Sequence, residues 1–164
     1  MSWPEHDRYH DHIIAGFYAL AFLVIYLIEI EQLIISDPVH FKYPVWPPGW
    51  LVDLTHWWGK EYHGALWARP AWYKATIWFD VCFSGPLYLA GIYAFQAKRK
   101  WIVYPALVHA VLLLLIVLFS ACEEIYGVHA GDGKGVVLAS MLLWAVVPAI
   151  IIRRTIQIAR HSEI

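Results

Sequence analysis

Charge is scarce in this chain. Asp, Glu, Lys and Arg make up 15% of its 164 residues, where a soluble globular domain carries about 25%. Together with 60% hydrophobic residues, that shortage excludes an ordinary water-facing fold and implies an integral membrane protein. The net charge is only −1, and no basic stripe tracks phosphates, so no nucleic-acid partner is expected. Both cysteines, Cys82 and Cys122, fall in apolar segments and read as small core residues rather than a disulfide. The opening MSWPEHDRYHDH is polar and acidic, unlike a cleaved signal, so the first apolar run is expected to persist. The repeated helical histidine pairs of a membrane di-iron oxygenase are missing. His6, His10 and His12 sit beside Glu5, Asp7 and Asp11 and read as a solvated tail. Gly131 to Gly135 lacks the Gly-Lys-Ser/Thr ending of a phosphate loop and reads as a turn. No metal and no cofactor is expected.

What the chain does have is long apolar runs. A span needs about 20 mostly apolar residues, and four runs qualify: roughly 13–35, 71–95, 102–122 and 136–152. They imply one domain over 1–164, an all-α bundle of four transmembrane helices. The fourth run is the shortest before Arg153 and Arg154, although Thr155 to Ala159 can extend the helix. The connection 36–70 holds four prolines, Pro38, Pro44, Pro47 and Pro48, ahead of Pro70, and five tryptophans, Trp46, Trp50, Trp57, Trp58 and Trp67. Such rings suit a structured segment at headgroup depth, and unstructured loops this long are uncommon. With four spans, the Lys98-Arg99-Lys100 link shares a side with both termini. That side gathers seven Lys/Arg against five on the other, so both termini are expected to face the cytoplasm.

Carboxylates interrupt the apolar runs. A charge at membrane depth costs about 2.5–3.5 kcal/mol, which makes such a residue a functional candidate by default. At about 1.5 Å per residue, Glu29 lies roughly 9 Å, Asp80 roughly 15 Å and Trp144 roughly 12 Å below the outer boundary. Intramembrane acids avoid lipid, so the three are expected to share a cavity in the outer half of the bundle. On the first span Tyr18, Phe22, Tyr26, Glu29 and Gln32 follow helical spacing, an aromatic stripe with a polar end. On the second, Tyr73, Thr76, Asp80 and Ser84 stack one turn apart ahead of Gly85-Pro86, a site for a kink. Glu31 is two residues from Glu29, about 200° around a regular helix, and is expected to reach water or the tryptophan-rich connection instead. Glu123 and Glu124 end the third span, where solvation or a place at the pocket mouth are both open. His109, mid-span, must be paired, as a structural group or as a proton relay.

Taken in order, Lys60-Glu61-Tyr62, Pro70-Ala71-Trp72-Tyr73-Lys74, Asp80, Pro86, Tyr93-Ala94-Phe95, Trp101-Ile102 and Pro105-Ala106 resemble the sigma-2 receptor group of the EXPERA-domain family. Gly85-Pro86-Leu87 and Leu143-Trp144-Ala145-Val146-Val147-Pro148 look more like that family's sterol Δ8-Δ7 isomerases, the emopamil-binding proteins. The likeness covers about residues 14 to 158. It implies that Glu29 matches the acid ending the first span in both groups, and that Asp80 matches the second acid of the sigma-2 group. In the isomerases that second acid falls about one turn earlier, near Ile77. Trp144 matches a tryptophan that faces the sterol cation in the isomerases. The chain departs at Ile25 and Met141, where the isomerases hold histidine and asparagine, and at Gly64, where the sigma-2 group holds aspartate. The likeness also implies a homodimer, in the endoplasmic reticulum of a eukaryote or the inner membrane of a bacterium.

Moving an isolated double bond needs one proton delivered and a neighbouring one removed, through a carbocation. Two buried acids in different protonation states suit that task, and an aromatic face stabilises a desolvated cation by about 2 kcal/mol. The reading is therefore a sterol- or isoprenoid-lipid-binding membrane protein, acting as a carboxylate acid–base isomerase or cyclase. Its catalytic pair is Glu29 and Asp80; the ligand wall is Trp144, Tyr26, Phe22, Thr76, Trp78, Ser84, His109 and Glu123. The competing readings are a non-catalytic sterol, amphiphile-binding or lipid-trafficking protein, like the sigma-2 receptor, and a structural subunit whose acids pair with a partner's helix.

Overall fold

The structure, a computed structural model, describes residues 3–4 and 8–163, the side chains of 162 and 163 excepted. Among these residues there are helices and no strands. Four helices are long and apolar enough to cross a bilayer: α1 (Arg8–Ile34), α4 (Ala71–Gln96), α5 (Val103–Tyr126) and α6 (Lys134–Glu163). Two short helices, α2 (Gly49–Glu61) and α3 (Gly64–Ala68), lie in the connection between α1 and α4. At most 33% of each spanning window is buried within the protein. The large apolar side chains Leu115, Leu118, Phe119, Leu142 and Val146 point outward, an arrangement that only hydrocarbon solvates. This is an all-α, multi-pass integral membrane protein.

Two close helix pairs build the bundle, α1 with the second half of α4, and α5 with α6. Glycine sets the first approach. A Cβ on Gly91 would lie 2.4 Å from the Tyr18 ring, and one on Gly85 would lie 2.6 Å from the Tyr26 hydroxyl. Only a bare backbone admits those rings. Tyr18 then stacks at a tilt on Tyr88, 4.9 Å between centroids, and Phe17 meets Trp144 edge-on at 5.3 Å. The Phe17–Trp144 contact ties the first pair to the second.

Two spanning helices are not regular. Residues Ile25–Glu29 of α1 and Asp80–Ser84 of α4 each form one π turn. In the first, the Ile30 N–H donates to the Ile25 carbonyl at 2.9 Å, five residues back rather than four. The Tyr26 carbonyl that Ile30 would otherwise use accepts the Trp46 indole N–H at 2.8 Å. In the second, Gly85 donates to Asp80, just before Pro86, which has no N–H and would crowd the Cys82 carbonyl of a regular helix. The expected kink is thus absorbed as a widened turn. Such π bulges cluster at functional sites.

Several sequence expectations change. The last helix takes the extension allowed through Ala159 and runs on to Glu163, with Arg154 turned inward and 1% exposed. Arg154 grips Asp11 of α1, Nε to Oδ1 at 2.7 Å and Nη2 to Oδ2 at 2.9 Å, and Trp3 donates to the same carboxylate at 2.9 Å. Asp11 is therefore buried, not part of a solvated tail; Glu5, His6 and Asp7 of that tail lie outside the described residues. Cys82 and Cys122 are free but exposed, facing out of the bundle rather than into the core, since lipid accepts a small apolar thiol as readily as protein does. Of the turn expected at Gly131–Gly135, residues 131–133 are turn or loop, while Lys134 and Gly135 already begin α6.

Candidate functional site

The connection folds over one end of the bundle because a buried charge holds it there. Arg69 ends α3 in the left-handed conformation, φ 52°, which costs a non-glycine residue roughly 1–2 kcal/mol. That turn aims its guanidinium at α1. It meets Glu31, Nη2 to Oε1 at 3.0 Å, and donates to the Ile35 carbonyl. His56 of α2 reaches the same Glu31 oxygen at 2.9 Å. Glu31 is fully buried, so it reaches the tryptophan-rich connection and not water.

Beneath α2 and α3 lies a cavity of about 430 Å³. Helical order sorts its lining by depth. Val24, Tyr88, Leu113 and Trp144 form the floor; Glu29, Asp80 and Thr76 stand at mid-height; Gln32, Thr55, Trp57, Trp58, His63 and Tyr73 are nearest the covering helices. Glu29 and Asp80 are close enough to feel each other's charge. Their surroundings differ. Glu29 leaves Oε2 buried with no hydrogen-bond partner, whereas Asp80 has the Ser84 hydroxyl beside it, one turn along α4. The Ser84 hydroxyl lies 2.9 Å from His109 Nε2. A hydroxyl has one proton to give. If Ser84 donates to Asp80, His109 Nε2–H donates to Ser84, and a chain runs His109, Ser84, Asp80 into the site.

The structure brings Glu29, Asp80, Thr76 and Trp144 to one cavity and leaves the other candidates outside its lining. Tyr26 donates to the Val81 carbonyl at 2.9 Å and packs on α4, with Phe22 beside it at 4.7 Å. Trp78 is 57% exposed and faces outward, two residues and about half a turn from Asp80. Ser84 and His109 are buried behind the acid rather than in the wall. Glu123 lines a second, adjoining hollow with Trp72 and Phe119, which shares Thr76 and Ile116 with the main cavity, and accepts the His129 N–H at 3.3 Å. Its neighbour Glu124 is not solvated: it is 1% exposed, accepts the Gly131 N–H at 3.2 Å and stands 4.0 Å from His63.

Sequence reading missed three lining residues of consequence. Burial pushes the His63 imidazole down to about 4, so it is neutral near pH 7. Tyr73 meets its ring edge-on at 5.7 Å, a contact that helical spacing along the second span does not reveal. Gln32, the polar end of the aromatic stripe, lines the cavity. Nothing local in the sequence flags His63, because its burial comes from α3 folding back.

Apolar floor, paired acids and a lid of aromatic residues together can hold a hydrocarbon and move a proton on it. Among the described residues no group of acidic, histidine and cysteine side chains has metal-site geometry. A family model described as EBP, EXPERA (EXPanded EBP superfamily), matches residues 50–155. The matched stretch includes Asp80 and Trp144 and begins after Glu29. No curated protein sequence matches the chain.

Proposed function

The chain belongs to the EXPERA family, and from that premise we propose that it takes a sterol-like or isoprenoid lipid from the bilayer and shifts a proton on it through Glu29 and Asp80. One observation carries this reading: acids from two different spans, each on a π turn, face a single cavity whose floor is apolar and aromatic. Two acids in one dry site do not both ionise. A carboxylate with a hydroxyl donor within reach holds the charge better, so Asp80, beside Ser84, is the base. Glu29, with an unpartnered oxygen, keeps the proton and donates it.

The step balances within the site. Glu29 gives its proton to one alkene carbon and becomes a carboxylate, leaving a cation on the neighbouring carbon. Trp144 on the cavity floor stabilises that cation through its ring face. Asp80 removes a proton from an adjacent carbon, and the double bond re-forms one position along. Once the product leaves, Asp80 gives its proton to water and Glu29 takes one from water, which resets the pair and admits solvent label at each turnover. If an internal double bond captures the cation before proton loss, the product is a ring, so a cyclase uses the same parts.

The test is incubation of purified protein with candidate sterols and terpenoids in deuterated water. Deuterium in a recovered isomer, lost in Glu29→Gln and Asp80→Asn, supports proton transfer. Tight lipid binding with no label in any substrate supports the second reading, a non-catalytic lipid-binding or trafficking protein. Ile25 and Met141 favour that alternative, since they line the cavity where the isomerases they resemble hold polar side chains. We also place both termini in the cytoplasm and pair two copies in the membrane. A cysteine at Ala97 in a Cys82- and Cys122-free chain, labelled only from outside intact cells, would overturn the first; a monomer by mass measurement in detergent overturns the second.

A further inference from the structure

Gln32 is the least satisfied polar side chain in the cavity wall. It is 1% exposed, it lines the cavity, and neither its amide nitrogen nor its amide oxygen has a hydrogen-bond partner. Its neighbours do not need it. Glu31, one residue earlier, is held on the other side of α1 by Arg69 and His56. Thr55, across the cavity on α2, donates its hydroxyl to the Leu51 carbonyl at 2.9 Å. A buried amide left without donor and acceptor is costly, so a site that keeps one is shaped for a ligand group that supplies both.

We propose that Gln32 reads the hydroxyl of a neutral lipid alcohol. The oxygen lies under α2, and the hydrocarbon runs past Glu29 and Asp80 to Trp144. A hydroxyl both donates and accepts, so it serves the amide oxygen and the amide nitrogen at once. A ketone serves only the nitrogen, and a hydrocarbon serves neither. An ammonium has donors only and would leave the amide nitrogen unserved. Depth supports the direction. Gln32 is one turn, about 5 Å, from Glu29 on the side of the covering helices. The opposite end of the cavity offers Val24, Leu113 and the Trp144 ring, which suit the hydrocarbon. The inference rests on the cavity taking an apolar lipid, and it does not depend on proton transfer.

The experiment measures binding of a sterol alcohol, its ketone and its deoxy hydrocarbon to the full chain in lipid nanodiscs, and repeats the set with a linear isoprenoid. The expected order is alcohol, ketone, hydrocarbon, with the alcohol about tenfold or more tighter than the hydrocarbon. In Gln32→Met that ratio falls to about twofold or less, while the ligand-free protein melts no lower, because an unpaired buried amide has been removed. Should Gln32→Met fail to fold, Gln32→Asn, which draws the amide back by one methylene, must still lower the ratio. An unchanged ratio in the variants, or a wild-type protein that binds hydrocarbon as tightly as alcohol or binds neither, overturns the assignment. Absence of deuterium incorporation would remove the proposed chemistry and leave this preference intact. Loss of the preference would leave the deuterium test standing.

Discussion

Arg154 and Asp11 stand 143 residues apart in the chain and close the bundle end opposite the cavity with a two-point buried ion pair, 2.7 and 2.9 Å. Removing one partner strands the other as a buried charge, which costs about 3–5 kcal/mol. Arg154→Met and Asp11→Leu should therefore each lower the unfolding midpoint in detergent sharply. The double variant should recover much of that loss, because hydrophobic replacement of a buried pair is often neutral. Additive losses in the double variant would show that the pair itself is not the stabilising unit.

Glu31→Gln should release the covering helices. The substitution leaves the Arg69 guanidinium, 1% exposed, without its counter-charge, at a cost of about 3 kcal/mol. Since α2 and α3 lie over the cavity, the expected readouts are faster protease cleavage within 36–70 and weaker lipid binding. Glu31→Gln with unchanged cleavage would mean that the tryptophan contacts alone hold the cover.

Ser84→Ala should separate chemistry from binding. Ser84 does not itself line the cavity but stands between His109 and the lining residue Asp80. Losing its hydroxyl should slow proton transfer about tenfold, the equivalent of one hydrogen bond of roughly 1.4 kcal/mol, with lipid affinity unchanged within about twofold. An equal fall in affinity would point to a packing defect instead.

Acid should loosen the protein through His63. Burial lowers its folded value from 6.5 to about 4, so the unfolded chain binds the extra proton first. Stability is whole above pH 6.5 and falls as pH drops toward about 4, by a total of about 3 kcal/mol. Glu124, 4.0 Å away, and the Tyr73 ring are the groups that face the imidazole. The measurement is the difference in melting temperature between wild type and His63→Asn across that range. A constant difference would place the acid sensitivity elsewhere.

The sequence carried the architecture because apolar runs set the spans and helical rise sets depth: Glu29, Asp80 and Trp144 do share one cavity. It misdirected the aromatic stripe. Regular spacing puts Tyr26 on the face of Glu29, but the π turn at Ile25–Glu29 breaks phase between them. Tyr26 consequently packs on α4 while Glu29 faces the cavity. Trp78 was drawn in by proximity to Asp80 in sequence, although two residues lie on opposite sides of a helix. The Asp11–Arg154 and Glu31–Arg69 pairs were illegible for a different reason. Each joins residues from distant elements, and no local spacing marks them.

The two π turns also mean that the site is encoded by residue count as well as residue identity. Winding 25–29 as ordinary α-helix with no residue removed would turn the two halves of α1 about 100° relative to each other. The Asp11 end would stay docked, while Glu29 and Gln32 swung away from the cavity, with every side chain named above still in the chain. A homologue whose first helix lacks the π turn therefore keeps this pocket only if that helix is also one residue shorter there.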